Sequence, residues 1–111
     1  MKKIKLLSIK INANYENLLN ISQEIAQAFG NIVDNNVVEV YEITETEILE
    51  GNIDYWFCPA EVIQEKFKEA IEKKQNTFSI QYESPYFEYE NQNGEKGLTC
   101  DIVELSFEIF E

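Results

Sequence analysis

The 111-residue sequence contains neither histidine nor arginine, so its nine cationic side chains are all lysines. Without histidine it lacks the usual general base for a serine or cysteine nucleophile, and the imidazole ligand of most zinc sites. Cysteine is scarce as well. Cys58 and Cys100 stand 42 residues apart (100 − 58) with no close Cys-x-x-Cys spacing, which fits buried thiols in a reducing compartment at least as well as a disulfide. Four glycines leave little room for a phosphate cradle, and no P-loop, dinucleotide-binding or nucleophile-elbow motif occurs. No apolar run approaches the roughly 20 residues of a membrane span. The start, Met-Lys-Lys-Ile-Lys-Leu-Leu-Ser, has a charged front, but Lys5, Ser8 and Lys10 interrupt its apolar stretch, so no secretory leader is expected and a cytoplasmic location is.

What the chain has in excess is acid. Twenty-one carboxylates oppose nine lysines, a formal charge of −12. A field of that sign repels nucleic acid and anionic membranes and attracts basic partners at steered rates. Apolar residues at 44% and aromatics at 13% argue against disorder despite the charge. At this length folding buries roughly 65% of the surface the unfolded chain exposes, so a single domain over residues 1–111 is expected. Heavy use of Asn, Ile, Lys and Glu points to an AT-rich source genome.

Along the chain, Ile4, Leu6, Leu7, Ile9 and Ile11 form a strand whose alternation slips at Leu6-Leu7, as in a central strand buried on both faces or carrying a bulge. Asn14 is placed to cap a helix whose inward stripe runs Leu18, Leu19, Ser22, Ile25, Ala26 and Phe29, and Gly30 to end it. After an Asp34-Asn35-Asn36 turn, Val37 to Thr44 and Ile53 to Cys58 read as a hairpin around Glu50-Gly51-Asn52. Pro59 opens a second helix at its first position, with Val62, Ile63, Phe67, Ala70 and Ile71 on one face and Lys73 and Lys74 at its end. Residues 77–90 and 97–110 then form two extended stretches around Asn93-Gly94, a long hairpin bent at Ser84-Pro85. The expectation is an α+β fold: an antiparallel sheet with two helices on one face, in ferredoxin-like βαββαβ order, with an additional C-terminal strand at the edge.

Two acidic stretches stand out. Glu39, Glu42, Glu45, Glu47, Glu50 and Asp54 fall on the expected middle hairpin, with no lysine among them; Glu83, Glu88, Glu90, Glu95, Asp101, Glu104, Glu108 and Glu111 fall on the last hairpin with only Lys96 against them, where Glu83, Glu88 and Glu90 interleave with Tyr82, Tyr86, Phe87 and Tyr89. Rows of carboxylate on extended chain resemble a phosphate backbone in sign and spacing, whereas the plainer reading is a solvated face that keeps the protein soluble. Tyrosine beside carboxylate suits a protein interface: the rings give rigid contact area and the acids pair with Lys or Arg. Stacking on RNA is disfavoured, because such sheets pair their aromatics with basic residues. Cys58, before Pro59, would sit at a helix N-terminus, but Tyr55-Trp56-Phe57 makes its surroundings apolar and favours a buried structural thiol. No metal-binding loop, cofactor motif or catalytic constellation is recognised, and no enzyme activity is expected.

A small acidic chain without motifs resembles, in composition and size, the immunity proteins that neutralise bacterial toxins and phage-encoded inhibitors of host defence nucleases. The resemblance covers no specific residues. It implies an inhibitor whose acidic, tyrosine-bearing surface blocks the cleft of a basic nuclease; on the pattern of acids and tyrosines, Glu42, Glu45, Glu47, Glu50, Asp54, Tyr86, Glu88, Tyr89 and Glu90 are the expected contact residues. A phage nucleic-acid mimic and a small assembly subunit joined through an edge strand at 99–110 are the alternatives.

Overall fold

The computed structural model describes residues 2–33 and 36–111, with the side chains of residues 15, 16, 31–33 and 36–38 left aside. The expected turn residues Asp34 and Asn35 lie outside the described residues. The described elements are β1 (Lys3–Asn12), α1 (Tyr15–Phe29), β2 (Gly30–Val33), β3 (Asn36–Val40), β4 (Ile43–Thr44), α2 (Glu45–Leu49), α3 (Ala60–Glu72), β5 (Thr77–Glu83), β6 (Phe87–Glu90), β7 (Lys96–Thr99) and β8 (Ile102–Phe110). The class is α+β, and the main sheet runs β4-β1-β8-β5 with every neighbouring pair antiparallel.

The slip at Leu6-Leu7 is a bulge. Leu6 pairs with Phe107 and Ser8 with Ser106, leaving Leu7 as the extra, exposed residue. Because strand side chains alternate, that one insertion lets Ile4, Leu6 and Ile9 all face inward. They meet Val103, Leu105, Phe107 and Ile109 of β8 and Phe78 and Ile80 of β5, forming one buried sheet face. The opposite face is polar, with a Ser79–Ser106 hydroxyl hydrogen bond of 2.8 Å and a Lys5–Glu108 ion pair of 3.5 Å.

Helices α1 and α3 close the buried face. The Asn14 side chain caps α1 by accepting from the Asn17 backbone N–H at 2.9 Å. Its buried row is Ile21, Ile25 and Phe29, spaced by four, so the inward stripe is rotated from the expected one and Leu19 is exposed. Helix α3 buries Ile63, Phe67 and Ala70 and begins one residue later than expected, with Pro59 as the N-cap. Five phenylalanines knit the layers: Phe107 of the sheet lies 5.4 Å from Phe29 of α1 and 5.2 Å from Phe78 of β5, and Phe67 and Phe57 complete the set. Each contributes on the order of 1.5–3 kcal/mol through burial.

Two expectations are corrected. The expected middle hairpin does not form: Asn36–Val40 pairs with Gly30–Val33 instead, residues 45–49 are helical, and Ile53 to Cys58 is a loop closed by a Tyr55–Cys58 bridge. The competing signal is Thr44-x-x-Glu47, a capping box in which Thr44 Oγ1 accepts from the Glu47 N–H at 3.2 Å and donates to its carboxylate at 3.2 Å. The C-terminal strand is also not an edge. β8 lies between β1 and β5, so the stretch named as a joining edge is mostly interior to the sheet. Its alternating residues Val103, Leu105, Phe107 and Ile109 sit in the core between the buried residues of β1 and β5.

Candidate protein-binding surface

The long C-terminal hairpin forms as expected and divides at its bend. β5 pairs with β8 from Thr77↔Glu108 to Glu83↔Ile102, and β6 pairs with β7 from Phe87↔Thr99 to Glu90↔Lys96. At the bend the Ser84 N–H donates to the Asp101 carbonyl and the Asp101 N–H donates to Ser84 Oγ, both at 2.8 Å. Beyond it, β6 and β7 form a two-stranded arm that packs chiefly on itself. The arm helps make the molecule elongated, 54 × 26 × 21 Å.

The arm presents four of the predicted contact residues. Tyr86 and Leu98 are each 68% exposed, and Tyr89, Glu88 and Glu90 are exposed too. Glu88 and Glu90 share one face, opposite Leu98 and Lys96, while Tyr89 lies on the other, over Gly97. That ring fits only because residue 97 has no side chain, since a Cβ there would come within 2.7 Å of it.

The remaining predicted residues are elsewhere and have local duties. Glu42 pairs with Lys3 at 3.3 Å, Glu45 and Glu47 form the first turn of α2, and Glu50 ends that helix. Asp54 caps α3, its Oδ1 accepting from the Ala60 N–H at 3.1 Å. Thr44 sits opposite Lys3 at one end of β1 and Ile102 opposite Asn12 at the other. Nine strand steps separate them, about 30 Å. The α2 acids and the arm are therefore two surfaces at opposite ends of the sheet.

Cys58 is fully buried, and burial, with the Asp54 charge second, pushes its thiol up to about 12. Both cysteines are free thiols. Among the described residues no group of three or more Cys, Asp or Glu is placed to hold a metal, and no helix is long and apolar enough to cross a membrane.

At the root of the arm one acid departs from the expected projecting row, because Asp101 is turned inward. Asp101 is 6% exposed, the one buried charged residue among those described. Its Oδ2 accepts from Asn17 Nδ2 at 3.0 Å, and its Oδ1 has no hydrogen-bond partner among the described residues. Asp101 separates two clefts. One, about 350 Å³, lies between the arm and the β1–α1 turn, lined by Asn12, Asn14, Phe87, Tyr89 and Thr99. The other, about 260 Å³, is lined by Asn17, Asn20, Ile21, Glu24, Trp56 and Asp101, and there the Trp56 indole N–H donates to Glu24 at 2.9 Å. The visible sequence signal for this root was the Ser84-Pro85 break facing the phase slip at Ile102-Val103.

No protein-family model matches the chain, and neither a curated protein nor a solved structure matches it.

Proposed function

We propose that this protein is a non-enzymatic acidic inhibitor, of the immunity-protein kind, that captures a basic nuclease in the cytoplasm and blocks its substrate cleft. The observation that carries this reading is the arm: exposed Tyr86, Tyr89, Glu88 and Glu90 on a ribbon that packs chiefly on itself. Rigid rings beside carboxylates fit a surface rich in Lys and Arg. The charge of −12 speeds the encounter and turns nucleic acid away. The α2 acids Glu42, Glu45, Glu47 and Glu50 supply long-range field in this scheme, and Asp54 serves α3 first. No cofactor takes part. The ferredoxin-like βαββαβ order, with an added C-terminal strand, belongs to the same proposal; what supports it is the succession β1, α1, β2, β3, α3, β5 once the intervening β4 and α2 are set aside, although β2 and β3 pair in a sheet of their own. A phage nucleic-acid mimic shares this physics with a different target.

The test is capture from source-organism lysate on the immobilised protein, elution by a salt gradient, and assay of the eluted protein for nuclease activity. A basic nuclease inhibited at one-to-one stoichiometry, and released by Glu88→Lys with Glu90→Lys, is the expected result. Capture of no nuclease, or capture indifferent to those charge reversals, overturns the reading.

A further inference from the structure

We infer that the cleft between α1, Trp56 and the hairpin bend is a receptor for an arginine side chain of the partner protein. The inference rests on the inhibitor reading for the partner's identity, though not for the chemistry of the cleft. Asp101 is locked in place through its backbone by Ser84, and its side chain is turned to the first turns of α1, where Asn17 occupies only one oxygen. The other oxygen is buried with no hydrogen-bond partner among the described residues, and burying an unpaired acceptor costs its hydration. A ligand that donates to it recovers that loss.

The lining says which ligand. Glu24 adds a second carboxylate, Asn17 already spends an amide N–H on Asp101, Asn20 adds an amide that can accept, and the Trp56 indole N–H already serves Glu24. None of the lining residues is basic. An acceptor-rich, negatively charged cleft with an aromatic wall selects a donor-rich cation. Guanidinium satisfies this better than ammonium, because its five N–H groups lie in one plane that can fork onto a carboxylate and stack on an indole. A volume of about 260 Å³ admits one long side chain, given that a water takes about 30 Å³. Asn20 and Glu24 are exposed at the mouth of the cleft, and Asp101 lines it, so a guanidinium seated there lies beside the Asp101 carboxylate. The chain holds no arginine of its own to fill the site.

Trp56 is the single tryptophan, so its fluorescence reports on this cleft alone. The experiment titrates the intact protein with Nα-acetylargininamide, with Nα-acetyllysinamide, with sodium chloride at matched ionic strength and with calcium chloride. A saturable change with the arginine compound, weaker with lysine and absent with the salts, is expected, and Asp101→Asn and Glu24→Gln should each weaken it about tenfold. No saturable change, an equal response to sodium chloride, a response to calcium alone, or identical titrations for wild type and Glu24→Gln would overturn the inference. Glu24→Gln lies on the exposed side of α1 and decides the matter if Asp101→Asn loses its fold by circular dichroism. Arginine binding without any captured nuclease would sink the inhibitor reading and leave the cleft standing; the reverse pattern would sink the cleft alone.

Discussion

Cys58 shows how one buried group ties stability to pH. Its thiol, ordinarily near 9.0, is held up to about 12 in the folded protein, so between those values the unfolded chain has released a proton that the native state keeps. Stability from this group is fully present below about pH 9 and falls as pH rises, by about 1.4 kcal/mol per unit at most. Urea titrations from pH 8 to pH 11 should show that decline, and Cys58→Ala should flatten it. Gly30 carries a different constraint. Its φ of 134° suits glycine, and a Cβ would stand 1.9 Å from the Glu39 carbonyl oxygen, where the chain turns from α1 directly into β2. Gly30→Ala should therefore lower the melting temperature more than Leu19→Ala, whose side chain is exposed.

The elements differ in how firmly they are held. β8 is paired on both sides and supplies four buried side chains, whereas among the described residues the arm of β6 and β7 packs chiefly on itself. Local opening follows burial, so native-state hydrogen exchange should be faster for amides at 87–90 and 96–99 than for those at 103–109 by several orders of magnitude. Equal protection would mean that the arm is packed in solution. Helix α3 begins at a proline with no side-chain cap of its own and borrows Asp54. Asp54→Ala should cost about 1 kcal/mol of stability, readable by urea unfolding, because the Ala60 N–H loses its acceptor. Charge reversals meant to probe binding are cleaner at Glu88 and Glu90, which cap nothing.

For the whole molecule, acid at both ends of an elongated body makes encounter with a basic partner depend on salt. The association rate should fall roughly tenfold or more between 20 and 200 mM salt while dissociation changes far less, measurable by surface plasmon resonance with the captured nuclease. A rate indifferent to salt would leave the charge as a solubility device. The length of β1 sets the α2 acids and the arm acids about 30 Å apart, so reversing the α2 acids should slow encounter and reversing the arm acids should hasten release.

Local chemistry was legible in the residues: the Asn14 cap, the bulge at Leu7, the Ser84-Pro85 bend and the burial of Cys58 all follow from spacing and side-chain type. Such features depend on neighbours a few positions away, or on one partner strand across a short turn. Pairing over longer separations was not legible, because apolar β-branched runs carry no address. Val37 to Val40 could meet either flank; in the tertiary fold Asn36–Val40 pairs with Gly30–Val33, while the residues after Thr44 are helical. The central place of β8 has the same origin: it brings Phe107 between Phe29 and Phe78, a gain only the assembled layers can deliver. The meeting of Asp101, Glu24 and Trp56 likewise exists only in three dimensions, since the three stand on different elements and share no periodicity along the chain.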